Sequence, residues 1–450
     1  MSLPKVASAY QAQLQVFERT ILNHQAQIEA WFRSQWHQHQ PPFYGSVDIR
    51  NSGYKLASID MNLFPGGFNN LNPNFLSLAT LAAQDAVERA CAEARSILLI
   101  PENHTRNTFY LQNVYALSQI LYQAGFTVRL GSLNPDITEI TVLKTAQGNE
   151  ITLEPILRHQ NRLHLADGFS PCLVLLNNDL SGGVPEILKG LEQVLLPPLK
   201  AGWTTRRKST HFAAYNQVAA EFAQLIHIDE WTINPYYQVC SGLDFSTHEG
   251  EEKLAQAVAE VLSLIQQKYD ELGITDKPFV IVKADAGTYG MGIMSVHSPE
   301  DVRGLNRKNR NKMAKVKEGM VVNEVIVQEG IYTYETLNDA VTEPVVYMMD
   351  RFVIGGFYRV HEGRGIDENL NAAGMQFVPW QRDIAAVDTE VMTDRADCKR
   401  AFCSWTQLGK PIADDGNNIQ DCEDIRLYVY SVLARLSLLA AAIELETMPD

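Results

Sequence analysis

The sequence predicts a mixed α/β and α+β protein. A mainly parallel α/β domain is expected over residues 1–205, followed by a second region, rich in hairpins, over 206–450. Three observations predict this. Short runs of β-branched residues and leucine alternate with helical patterns in the first half, which implies a parallel sheet with ligands beyond its strand C-ends. Pro197-Pro-Leu-Lys-Ala-Gly-Trp203 is the sharpest Pro/Gly break in the chain. Beyond it, two apolar runs flank a glycine-rich segment, the pattern of a hairpin. At 450 residues the chain also exceeds one ordinary core, so more than one domain is expected.

In order, residues 9–36 read as a helix ending before Pro41-Pro42, and 43–71 as an irregular polar stretch broken by glycines. A helix over about 75–95 leads to strand Ser96–Ile100; a helix over 107–124 then leads to strand Phe126–Leu130, and a third strand covers Cys172–Leu176. Past the break come helices over 206–227 and 250–271, the glycine hairpin, a basic helix near 301–318 and strand Val321–Gln328. A second hairpin over 345–360 is expected to turn at Gly355-Gly356, and an amphipathic helix over 424–445 ends the pattern.

Charge and composition exclude some classes. The net charge of −15, from 38 basic and 53 acidic side chains, argues against general nucleic-acid or acidic-membrane binding, either of which needs a basic field. The richest apolar run, Leu433–Ile443, is interrupted by Arg435 and is shorter than the roughly 18 residues of a spanning helix. Six cysteines are scattered without a C-x-x-C pair, and the N-terminus lacks an apolar signal core, so a reducing cytoplasm is the expected compartment. The basic run Arg303–Lys317 is most simply a solvated helix face.

The chemistry gathers in four places. In Phe279-Val-Ile-Val-Lys-Ala-Asp-Ala-Gly-Thr-Tyr-Gly-Met-Gly-Ile-Met-Ser-Val296, Gly287, Gly290 and Gly292 let backbone approach polyphosphate, with Tyr289 and Met291 at the tip. Lys283 ends the first strand, where an isolated ammonium is costly unless it meets an anion. A strand follows the glycines, which excludes a Walker A loop and a dinucleotide fingerprint, since both open a helix. Gln328 and Glu329 end the next strand, placed for an adenine edge and a ribose hydroxyl. In Arg359-Val-His-Glu-Gly-Arg-Gly-Ile-Asp-Glu-Asn-Leu-Asn371, Glu368, Asn369 and Asn371 are hard oxygen ligands for Mg²⁺, and Arg359 and Arg364 are candidates to clamp a transferring phosphoryl group. The 43–71 stretch groups Asp48, Arg50, Asn51, Lys55, Asp60 and Asn62, a set suited to both ends of an amino acid, with Arg50 as a bidentate carboxylate partner. Arg106 and Asn178, at strand ends, are further substrate candidates.

The order of lysine strand, glycine loop, Gln-Glu strand and Arg/Asn segment resembles the ATP-grasp superfamily over roughly 205–450. Asn369-Leu-Asn-Ala-Ala-Gly374 is similar to a segment of bacterial glutathione synthetases. Asn62-Leu-Phe-Pro-Gly-Gly-Phe-Asn-Asn-Leu71 and Lys283–Met294 look like the proteobacterial glutamate–cysteine ligase family of the Nitrosomonas/Thiobacillus type. The resemblance implies a two-lobed ATP-grasp domain at 206–450 with a glycine-rich lid at 283–294. It implies ATP and Mg²⁺ as cofactors, and joining of the glutamate γ-carboxylate to cysteine through an acylphosphate, the first step of glutathione synthesis. It makes Lys283 the phosphate lysine and Lys208 the candidate for a second ATP lysine; the superfamily's late-strand Asp…Glu-x-Asn metal pattern has no clean copy after residue 374, so Asp350 joins Glu368, Asn369 and Asn371 as Mg²⁺ candidates chosen by their chemistry. Small-molecule substrates are then the expected partners, with a homo-oligomer left open. The residues also fit another ATP-grasp carboxylate–amine ligase, or a nucleotide-binding regulatory protein without turnover.

Overall fold

A computed structural model describes residues 4–6, 8–245, 247, 249–287, 292–314, 321–381 and 419–449. Its first sheet runs Val194–Leu196, Leu173–Asn177, Ser96–Pro101, Thr127–Ser132, Glu150–Pro155, Thr141–Lys144, and all its pairs are parallel except the last. Leu173–Asn177 is buried along its whole length, as a central parallel strand covered on both faces must be. Helices Leu76–Ala90 and Thr108–Gln123 pack with this sheet in one core.

The second sheet is antiparallel and crosses the predicted boundary at 205. Strands Tyr44–Asn51 and Leu56–Asn62, both from the N-terminal fifth of the chain, extend a sheet built on Ala340–Met349, Phe352–His361 and Gln376–Pro379. The stretch 43–71 is therefore largely a strand pair, and a split at 205 does not separate the sheets. A third sheet of four antiparallel strands holds Tyr237–Ser241, Glu324–Glu329, Val280–Ala284 and Ile293–Val296. Helix Glu251–Leu272 covers it; acidic Glu251 and Glu252 fill its first turn, and Gly273 at φ 66° ends it.

Three local expectations are corrected. The N-terminal helix divides into Gln11–Asn23 and Gln25–Gln38, and the basic helix into Pro299–Arg303 and Arg307–Ala314. The long hairpin turns at Asp350, whose φ is 50°, and not at Gly355-Gly356. Gly356 instead permits close packing: a Cβ there would stand 2.6 Å from the Val345 carbonyl and 2.8 Å from the Trp380 ring.

Helix Ile419–Thr447 packs on helix Lys208–Ile226 and on both N-terminal strands. Its Ile425–Thr447 part is long and apolar enough to cross a membrane by composition, contrary to the sequence estimate, but 78% of that window is buried within the protein as core.

Candidate active site

The site begins with an unfavourable pairing. Asp48 and Asp60 are directly opposite in the Tyr44–Asn51/Leu56–Asn62 ladder, where two like charges cost stability unless cations surround them. Cations do. Lys208 Nζ is 3.1 Å from Asp60 Oδ1, and Lys283 Nζ donates at 2.7 Å to the carbonyl of Ile59. Arg359 places its guanidinium on Asp48, at 2.8 and 3.3 Å, and also reaches Glu343. Arg50 Nε donates to the other Glu343 oxygen at 3.1 Å.

Local sequence brings the lysines together. Lys208 opens helix Lys208–Ile226, and its amide donates to the Asp285 carbonyl at 2.8 Å. The Asp285 carboxylate accepts from the Ser209 amide and hydroxyl, both at 2.7 Å. An acidic group at a helix N-terminus satisfies orphan amides and the dipole. Here it also ties the strand end that carries Lys283 to the helix that carries Lys208.

The electrostatics follow. Burial pushes the Asp60 carboxyl up, but Lys208 and Lys283 outweigh it and hold it at about 2. Burial lowers Lys283 to about 8, against the opposing pull of Asp60. Asp48 lies above the ordinary range: burial raises it, Arg359 opposes, and Glu343 and Asp60 add to the rise.

The predicted residues fall into two groups. Lys208, Lys283, Arg50 and Arg359 lie in this cluster. Gly287 and Gly292 adopt left-handed φ of 110° and 61° at the loop ends, while Tyr289, Gly290 and Met291 lie outside the described residues. Gln328 is buried beside the site strand, with its Nε2 lacking a partner among the described residues. The rest need correction. Glu329 does not face a ribose: its oxygens accept from Lys55 Nζ at 2.9 Å, Trp231 Nε1 at 3.1 Å and the Tyr236 amide at 2.9 Å. Lys55 is thereby committed, as is Asn51, which donates to Glu335 at 2.9 Å. Asn62 and Asn178 accept from backbone amides two residues on, as turn-forming side chains do. Arg106 is exposed in the loop after Ser96–Pro101. Arg50 spends one N–H of each of its three nitrogens, on Glu343 and the carbonyls of Ile331 and Glu368, so its fork is turned to the protein and it supports the cluster.

The predicted metal quartet does not assemble. Asp350 pairs with Arg89 at 2.7 Å, and it lies at the hairpin turn, seven residues past Glu343 and roughly 20 Å along the strand. Glu368 and Arg364 are half-exposed and paired to each other at 2.8 Å, which also removes Arg364 from the phosphoryl position. Asn369 accepts from the Asn371 amide. Their loop links the four-stranded and seven-stranded sheets: the carbonyls of Ile366, Asp367 and Glu368 accept from the Thr333 amide, Ser295 and Arg50 respectively. Among the described residues no group of three or more His, Cys, Asp or Glu side chains could hold a metal ion.

Sequence reading placed Asp48 and Asp60 only in a set suited to an amino acid, not as a facing pair ringed by cations, and assigned no role to Asp285 or Glu343. The signal for the first was present: in Ser46-Val-Asp-Ile-Arg50, buried Val47 and Ile49 alternate with polar residues, a period of two that glycine and asparagine density obscured.

Two buried lysines, Lys208 on Asp60 and Lys283 on the Ile59 carbonyl, stand beside a glycine-rich segment, a pattern that an ATP-dependent ligase would use. The family model described as glutamate-cysteine ligase (GshA) matches residues 18–445, and the chain belongs to that family. A solved structure of a Methylobacillus flagellatus KT protein, described as a "putative gamma-glutamylcysteine synthetase", is 55% identical, with 99% of each chain covered and a TM-score of 0.86. D-alanyl-alanine synthetase A from Vibrio cholerae O1 biovar eltor str. N16961 is 12% identical, covering 70% of this chain and 79% of that one at a TM-score of 0.32. A glutathione synthetase-like effector (GSS30) from Globodera pallida is 10% identical, covering 84% and 85% at 0.37. Superpositions that loose carry no argument. No curated protein matches the sequence significantly.

Proposed function

We propose that the protein joins the γ-carboxylate of glutamate to the amine of cysteine, using ATP, with the four-stranded and seven-stranded sheets as the two lobes of an ATP-grasp arrangement. The observation that carries this reading is the Asp48–Asp60 pair ringed by Lys208, Lys283 and Arg359, in a chain of the glutamate-cysteine ligase family. Lys208 and Lys283 bind the phosphates as point charges. A glutamate carboxylate oxygen attacks the terminal phosphorus and ADP leaves; the cysteine amine then attacks the acyl carbon and phosphate leaves. The chain supplies positioning and charge neutralisation, with no protein nucleophile.

Mg²⁺ fits at Asp48 and Asp60 better than at the quartet expected from sequence. Two carboxylates opposite each other, one of them raised by burial and further by its acidic neighbours, offer the hard oxygens that Mg²⁺ shares with phosphate. When bound there it would neutralise phosphate charge. ADP release measured with glutamate alone, cysteine alone and both amino acids tests the reading. Release that requires glutamate and accelerates with cysteine is expected; ATP binding without turnover on any pair overturns it.

A further inference from the structure

The segment that receives both lysines is held at each end by one buried hydrogen-bond ring. Ser58 Oγ lies 3.0 Å from Ser437 Oγ, which lies 3.2 Å from His211 Nε2. His211 Nδ1 is 3.2 Å from Glu444 Oε2, and Arg206 donates to both Glu444 oxygens at 2.8 and 2.9 Å. Arg206 Nη1 then donates at 2.8 Å to the Met61 carbonyl. The path leaves strand Leu56–Asn62 at Ser58, crosses the C-terminal helix and helix Lys208–Ile226, and returns at Met61. Between its two ends lie Ile59, whose carbonyl holds Lys283, and Asp60, which pairs with Lys208.

The ring is fully interior. Ser58 and Ser437 are 0% exposed, Glu444 and Arg206 1%, and His211 2%. Burial holds His211 below its ordinary pKa despite Glu444, which favours the neutral imidazole. A neutral ring satisfies the path in one direction: Ser58 donates to Ser437, Ser437 to Nε2, and Nδ1–H to Glu444. Replacing a buried ion pair by apolar side chains of similar volume is often neutral in stability, because desolvating charges offsets most of their attraction. The polar path is thus better explained by what it positions.

We infer that Ser437, His211 and Glu444 are positioning residues that fix the Ile59–Asp60 segment, and through it Lys208 and Lys283, for nucleotide binding. None of them touches substrate. The inference rests on the reading that the two lysines meet the ATP phosphates.

Steady-state kinetics of Ser437→Ala and Glu444→Gln test it. Each is expected to raise KM for ATP about three- to tenfold, with kcat and the KM values for glutamate and cysteine within about twofold. Ser437→Ala should add nothing further in an Asp60→Asn background, since coupled residues are not additive. A lowered Tm with unchanged KM for ATP, or effects additive with Asp60→Asn, overturns the proposal. Ser437→Ala, a near-isosteric change, decides alone if Glu444→Gln fails to fold. Lys283→Ala separates the two readings. If it leaves ATP binding intact, the phosphate reading fails and the ring's role with it; if it weakens binding while Ser437→Ala does not, the ring alone fails.

Discussion

Lys55 and Lys283 are both buried, and burial draws both ammonium groups down to about 8, yet their surroundings differ. Lys55 is enclosed by its own protein: it donates to Glu329 and to the Asn234 carbonyl, both at 2.9 Å, and lies 4.0 Å from the centre of the Trp231 ring. Lys283 has, among the described residues, one hydrogen bond, to Ile59, in a cluster it shares with Lys208 and Asp60. An ammonium has three donors. Depressed pKa therefore does not distinguish a binding lysine from a structural one; spare donor capacity does. Lys55 ties the N-terminal hairpin to the strand that ends in Glu329, whereas Lys283 has donor capacity to spare among the described residues.

Removing each lysine breaks the comparison most directly. Lys55→Ala leaves the Glu329 carboxylate buried and unpaired, which should cost about 3–5 kcal/mol in urea unfolding. Stability within about 1 kcal/mol of the parent would show that Glu329 does not depend on Lys55. Lys283→Ala should weaken ATP binding at least tenfold by calorimetry, the scale of a lost charge-assisted contact, with little change in stability. Unchanged affinity in the folded variant would put Lys283 in the same structural class as Lys55.

A pH titration sharpens the same contrast. The folded pKa of Lys283, about 8, lies below the 10.5 of an ordinary lysine, so the unfolded chain binds the proton more tightly and folding gains stability as pH rises between them. Lys55 acts in the same direction. Neither lysine therefore unfolds the protein in that window. ATP affinity should nevertheless fall as pH rises through about 8, because neutral Lys283 no longer attracts phosphate, and Lys283→Arg should flatten the fall. A decline of equal size in Lys283→Arg would assign the titration to another group.

The sequence exposed those parts of the site whose signals are local. Lys283 closing a β-branched run, with glycines and a second strand after it, is legible within 18 residues. The parallel strands at 96–101, 127–132 and 173–177 were legible too, because buried strands read as continuous apolar runs. What stayed hidden depends on register between distant segments. Asp48 faces Asp60 only through the strand pairing, and Arg359 meets Glu343 only across the long hairpin. The ring joins Ser58, Arg206, His211, Ser437 and Glu444, a set that shares no local pattern. Charge alone misled in the opposite sense at Glu368 and Arg364, whose oxygen-rich loop suggests a metal site but pairs its charges with each other.

Asp350 gives the smallest effect and the finest test of that distinction. Its carboxyl is buried and pushed above the ordinary range, with Arg89 opposing, which are features an active-site acid also shows. It stands at the hairpin turn, however, with its charge partners Arg89 and Arg351 beside it and the Asp48–Glu343 cluster at the far end of the same strands. Asp350→Asn keeps the shape and loses one partly exposed ion pair, so a destabilisation of about 1 kcal/mol is expected. The dependence of turnover on Mg²⁺ concentration should not move. Asp48→Asn, in contrast, should shift the half-saturating Mg²⁺ concentration upward, since it removes one of two carboxylates proposed to share the ion with phosphate. A shift in Asp350→Asn of the size seen in Asp48→Asn would mean that the hairpin tip communicates with the metal, and the separation of structural from ligand-binding charge along these strands would fail.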